Sequence, residues 1–174
     1  MALPLRGERV SLRALASKDL PLFAEFLQAP SVKRWWGDYD EDRLRRELVD
    51  DPSVEAFAVE AEGHLIGIVD FCEETHPDYY HAALDITLGV PHQGRGLGSD
   101  ALRTLIGHLV DERGHHRLTV DPAAENTDAV RFYERLGFRK VGVLREYQRV
   151  SEGHWRDGLL MELIVEPDPH PCGA

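Results

Sequence analysis

Val90-Pro91-His92-Gln93-Gly94-Arg95-Gly96-Leu97-Gly98-Ser99 sits between an apolar run and an amphipathic segment. Upstream, Ala83-Leu84-Asp85-Ile86-Thr87-Leu88-Gly89-Val90 reads as a strand. Downstream, Ala101, Leu102, Leu105, Ile106, Leu109 and Val110 recur at helical spacing. A glycine-rich turn therefore opens a helix. Glycines let the backbone approach a ligand closely, and the unpaired N–H groups of a first helical turn, aided by the helix dipole, attract phosphate. The segment reads as an anion cradle.

Two common phosphate motifs do not fit. A dinucleotide fingerprint needs G-x-G-x-x-G, but Ser99 stands where the last glycine belongs and Gly98 comes one residue early. A P-loop needs Gly-Lys-Ser/Thr, which is absent. What remains is Q-x-x-G-x-G, formed by Gln93, Gly96 and Gly98, and this resembles the acyl-coenzyme A pyrophosphate loop of the GNAT N-acetyltransferases. Farther along, Asn126-Thr127-Asp128-Ala129-Val130-Arg131-Phe132-Tyr133-Glu134-Arg135-Leu136-Gly137-Phe138 is similar to the N-x-x-A-x-x-x-Y-E-x-x-G-F pattern of the same family. The resemblance spans about Leu12 to Ile164 and is weakest in the N-terminal third.

The 174 residues suit one domain with one substantial core, over residues 1–166, and a proline-bearing tail at 167–174 without apolar periodicity. No apolar run approaches the roughly 20 residues that cross a bilayer, and Met1 to Arg6 has no apolar signal core. Cys72 and Cys172 make no disulfide framework, so a reducing cytoplasm is expected. A net charge of -11 argues against nucleic acid as partner and is compatible with cationic ones, although acidity also serves solubility.

Val10, Leu12 and Leu15 suggest a first strand. Leu20, Phe23, Phe26 and Leu27 suggest a helix that Pro30 ends, and Asp40 to Val49 a charge-rich one. Strands at 56–61 and 65–71 flank the hairpin signal Glu62-Gly63. After the cradle helix come a strand at 117–121, a helix at 127–136, and strands near 140–150 and 157–165. This order predicts an α/β fold with a single mixed, mostly antiparallel sheet flanked by helices.

The family resemblance implies acetyl-CoA as co-substrate, held by the cradle residues Gln93, Gly94, Arg95, Gly96, Leu97, Gly98 and Ser99. It also implies that the strand edge from Ile86 to Val90 pairs with pantetheine, with backbone N–H groups near Leu88 and Val90 polarising the thioester carbonyl. Asn126, just before a helix, is a good N-cap residue and is expected both to cap that helix and to touch pantetheine. Tyr133 is the family's general acid, yet Ala129, Phe132, Tyr133 and Leu136 also form an apolar stripe that could simply bury the ring. An amine acceptor with a pKa near about 10.4 needs a base. Asp121 is the first choice, because Asp121-Pro122-Ala123-Ala124-Glu125-Asn126 is similar to the D-P-x-x-x-N stretch of aminoglycoside 6'-N-acetyltransferases; a turn aspartate is the alternative. Asp70, Glu73, Glu74 and Asp85 stand in reserve, Asp70 also as a substrate residue.

Val32-Lys33-Arg34-Trp35-Trp36-Gly37 resembles the V-x-x-W-W-G segment of those enzymes, where Trp35 and Trp36 in a loop would wall a sugar cleft or clamp the core. Gly153-His154-Trp155-Arg156-Asp157-Gly158 is similar instead to ribosomal-protein N-terminal acetyltransferases. The nine histidines show no H-E-x-x-H spacing, no metal is expected, and His115-His116 reads as a polar helix end. The expectation is an acetyl-CoA-dependent N-acetyltransferase of a small cationic amine, an aminoglycoside antibiotic by the resemblance, with no nucleic acid or membrane partner and a homodimer left open. Acetylation of a protein N-terminus and a non-catalytic acyl-CoA-binding module are the alternatives.

Overall fold

The computed structural model describes residues 4–165, so the tail at 167–174 and Cys172 lie outside the described residues. Eight strands form one sheet in the order β1-β2-β3-β4-β5-β6-β8-β7. They are β1 (Leu5–Arg6), β2 (Ser11–Ala14), β3 (Val54–Ala61), β4 (His64–Glu74), β5 (His81–Leu88), β6 (Arg117–Val120), β7 (Arg139–Ser151) and β8 (His154–Ile164). Every neighbouring pair is antiparallel except β5 and β6. The expected mixed, mostly antiparallel sheet is thus present.

Strand alternation sends side chains to two faces, and each face has its own core. On one lie α4 (Leu97–Gly107) and α5 (Thr127–Arg135), burying Leu102, Leu105 and Val130 against Leu12, Phe57, Phe71 and Leu118. On the other, α1 (Leu20–Leu27), α2 (Pro30–Trp36) and α3 (Glu41–Leu48) bury Leu20, Phe23, Leu27, Val32 and Leu44 against Ile68. Each such side chain contributes about 1.5–3 kcal/mol by leaving water. Asp40 caps α3 by accepting from Arg43 N–H at 2.7 Å, and Asn126 caps α5 by accepting from Ala129 N–H at 3.2 Å.

Four expectations change. Pro30 does not merely end a helix: it occupies the first position of α2, where its missing N–H costs nothing, so Trp35 and Trp36 belong to a helix and not to a loop. The short β1 escaped notice because two residues carry no periodicity. Strand β5 stops at Leu88, and Val90 begins a 3-10 turn through His92. His115 is no polar helix end. It is 1% exposed, its ring lies parallel to Tyr80 at 4.2 Å, and its Nε2 is 2.6 Å from Glu73 Oε1.

Candidate active site

Strands β5 and β6 pair only at Ala82 with Leu118 and Ala83 with Thr119, then part. The gap between them opens into a cleft of about 830 Å³. Gly89 N–H donates to Ile66 O, and the unbroken register with β4 then turns the backbone groups of Thr87, Asp85 and Ala83 towards β4. Those of Leu84, Ile86 and Leu88 face the gap. A chain-like ligand could therefore add to β5 where β6 has left it.

At one end of the cleft lies the glycine turn. Gly96 has φ +81°, a left-handed conformation that only glycine adopts cheaply, and it immediately precedes α4. A Cβ on Gly98 would stand in ordinary contact with Leu88 Cδ1 at 3.4 Å and Phe132 at 3.5 Å, so this residue lies against both side chains at the cleft wall. Gln93 Nε2 donates to Leu88 O at 2.8 Å and fixes the turn to the end of β5. Gln93, Gly94, Gly96, Gly98, Ser99, Leu88 and Asn126 line the cleft, whereas Arg95, Leu97 and Val90 do not. Leu97, the first residue of α4, is buried in the core, and Arg95 offers its carbonyl to Arg9 Nη1 at 2.7 Å. These features fit the diphosphate and pantetheine of a coenzyme A thioester.

The other end is acidic and aromatic. Trp35, Trp36, Tyr39, Asp85, Asp121 and Tyr147 line it. Trp36 Nε1 donates to Thr87 Oγ1 at 2.6 Å, and its ring meets Phe23 and Tyr39 edge to face at 6.0 and 5.1 Å. The guanidiniums of Arg34 and Arg156 stand over the Trp35 ring, 4.1 and 5.4 Å from its centre. Arg156 Nη2 also donates to Arg34 O at 2.9 Å, clamping the β7–β8 hairpin to the end of α2. Both tryptophans thus wall the cleft and anchor it.

Asp70 and Asp85 stand directly opposite in the β4–β5 register. Asp85 is exposed on its cleft side, and the protein packed around the rest of the carboxylate removes part of its water. That dehydration, together with nearby Asp121, outweighs the hydrogen bond from Ile86 N–H and pushes its carboxyl up to about 7. Burial and the facing Asp85 hold Asp70 well above the carboxylate range. Asp121 is exposed at the mouth, just past β6, and accepts from Tyr147 Oη at 2.5 Å. Glu73 is occupied elsewhere: Arg113, at 2.6 Å, and His115 keep it below the usual range. Neither Asp70 nor Glu74 lines the cleft.

Tyr133 is 5% exposed, packs on Phe138 and also lines the cleft, so its ring belongs to both the core and the cleft wall. Burial first, then Asp85 and Asp121, raises its hydroxyl well above the ordinary value of 10.0. Tyr147 and Tyr39 were not foreseen. Tyr147 arrives through a bulge in β7, where Glu146 has φ +49° and donates its N–H to Asp157 Oδ1 at 2.8 Å. No local signal marks that bulge.

Residues 9–139 match the family model described as the acetyltransferase (GNAT) domain. The chain belongs to the GNAT acetyltransferases. It is 30% identical over 167 residues to the ribosomal protein bS18 alanine N-acetyltransferase of Salmonella typhimurium, covering 89% of this chain and 97% of that one. With the aminoglycoside N(6')-acetyltransferase type 1 of Klebsiella pneumoniae it shares 27% identity over 159 residues, covering 79% and 78%. The structure of spermidine N-acetyltransferase from Vibrio cholerae, in complex with CoA and spermine, superposes with a TM-score of 0.75 at 24% identity, covering 90% of this chain and 95% of that one. This GNAT protein is therefore an N-acetyltransferase with the expected fold. Among the described residues no His, Cys, Asp and Glu cluster has metal-binding geometry, and no helix is long and apolar enough to cross a membrane.

Proposed function

We propose that this GNAT enzyme acetylates a primary amine of a small, multiply cationic acceptor of the aminoglycoside or polyamine kind, using acetyl-CoA. The observation that carries the reading is the polarity of the cleft: a glycine turn at a helix start at one end, and Asp85 and Asp121 with an aromatic wall at the other. Anionic donor and cationic acceptor would each meet complementary charge. The aminoglycoside relative lends support.

Bound acetyl-CoA would supply the acyl thioester, held by Gln93, Gly94, Gly96, Gly98 and Ser99, with Asn126 beside pantetheine. Exposed Asp121, braced by Tyr147, attracts the acceptor's charge at the mouth. Asp85 takes the ammonium proton, because a carboxyl near 7 is half ionised at neutral pH and more basic than an ordinary carboxylate. It suits that role better than Asp121, and Asp70 facing it adds negative charge without lining the cleft. The amine nitrogen then bonds to the acyl carbon while the carbon–sulfur bond breaks. Tyr133, whose hydroxyl keeps its proton, donates it to the departing sulfur, and the proton that the nitrogen sheds on becoming an amide restores the hydroxyl.

Coenzyme A release measured across aminoglycosides, polyamines and peptides with free N-termini tests the reading. Turnover of multiply charged amines, falling as salt rises, is the expected result. Turnover of peptide N-termini alone would transfer the assignment to protein acetylation, which the 30% identical relative performs by its name.

A further inference from the structure

On the far side of Gly96 from the acceptor lies a second hollow of about 550 Å³, which shares that glycine with the main cleft. Arg6, Arg9 and Arg103 line it. None of these three exposed side chains forms an ion pair among the described residues, although the chain carries a net charge of -11. Two carboxylates are near, but one is committed. Asp100 accepts Glu8 N–H at 3.0 Å through Oδ1, and Arg9 and Val10 N–H at 2.7 and 3.0 Å through Oδ2. Only Glu8 is left to oppose three positive charges.

The hollow is built, not incidental. Asp100, in the first turn of α4, draws the β1–β2 turn onto the helix, and Gly7 permits the contact. A Cβ there would stand 2.6 Å from Thr104 Oγ1 and 2.8 Å from the Asp100 carboxylate. The consequence is that Arg9 reaches the glycine loop, donating to Arg95 O at 2.7 Å and standing 3.5 Å from where a Cβ on Gly96 would be. Fastening the turn needs Asp100 and Gly7; it does not need three guanidiniums without a carboxylate partner.

We infer that this hollow is a second anion site, which takes the phosphate monoester on the ribose of coenzyme A while the start of α4 takes the diphosphate. The inference rests on the acetyl-CoA reading of the loop. Continuity through Gly96 favours a phosphate on the same ligand over a free ion, since a diphosphate lying over that residue brings the adjoining ribose phosphate to its edge. Arg6, Arg9 and Arg103 would then be specificity residues for the phosphorylated cofactor, through charge-assisted hydrogen bonds.

Calorimetric titration with coenzyme A and with 3'-dephospho-coenzyme A tests this without turnover. The wild type should bind coenzyme A about tenfold more tightly, or about 1.4 kcal/mol. The exposed double variant Arg6→Gln/Arg103→Gln should lose that preference through weaker coenzyme A binding, with dephospho-coenzyme A affinity unchanged. Equal wild-type affinity for the two ligands overturns the subsite, and so does a parallel loss for both in the variant. Loss of the preference in Arg131→Gln/Arg135→Gln, with Arg6→Gln/Arg103→Gln unaffected, would place the monoester on the α5 side instead. If the wild type binds neither ligand, the acetyl-CoA reading fails first and takes the subsite with it; a change in the ratio alone concerns only the subsite.

Discussion

Trp36 Nε1 donates a 2.6 Å hydrogen bond to Thr87 Oγ1, joining the last turn of α2 to β5 two residues from Asp85. The bond links the wall of the acceptor end to its floor. Trp36→Phe keeps most of the apolar ring and leaves the Thr87 hydroxyl without its donor, so thermal unfolding should show a loss of about 0.5–1.5 kcal/mol. Acceptor KM should rise while acetyl-CoA affinity stays level. An unchanged acceptor KM would reduce Trp36 to a core residue.

Asp85, pushed up to about 7, sets the acid limb of the rate profile. Below that pH the carboxyl is protonated and accepts nothing, so kcat/KM should fall as pH drops through 7. Asp85→Asn should remove the limb and lower kcat by about 10²-fold or more. A variant that keeps both limb and rate would return the base role to Asp121.

The same raised carboxyl makes a stability prediction of definite sign. Between the unfolded value and about 7 the folded state binds more protons than the unfolded one, so this group's contribution to stability declines as pH rises across that window. Asp85→Asn should therefore raise Tm by a few degrees at pH 8 and leave it nearly unchanged at pH 3.5. Calorimetry at the two pH values checks the difference.

Tyr133→Phe should lower kcat by about 10²-fold with acetyl-CoA affinity within twofold of wild type, since the buried ring is kept and only the hydroxyl is lost. Wild-type turnover would leave the tyrosine with packing alone.

Gly98→Asp separates ligand binding from folding. An aspartate in the first turn of α4 favours the helix dipole, so Tm should hold or rise. The same charge opposes a diphosphate, and acetyl-CoA binding should weaken at least tenfold by calorimetry. Unchanged affinity in the folded variant would remove the cradle assignment.

Local patterning along the chain determined much of this protein. The turn from Gln93 to Ser99 opening α4, the Asn126 cap of α5, the Glu62-Gly63 hairpin and the two final strands all depend on contacts within a few residues, which spacing records. The α2 helix was illegible because Pro30 ends one helix and starts another with equal ease, and only the packing of Val32 and Trp36 against Phe23 and Leu27 chooses. The roles of the carboxylates depended wholly on the assembled fold. Asp70, Glu73, Asp85 and Asp121 are alike in sequence, but the register set Asp70 opposite Asp85, the gap between β5 and β6 put Asp85 on the cleft, and Arg113 took Glu73. Tyr147 and Arg9 reached the cleft and its loop through a bulge and a docked turn, from residues far away in the chain. Spacing carries information about neighbours on one element; the dehydration and charge that set a pKa come from other elements, and only the tertiary structure brings them together.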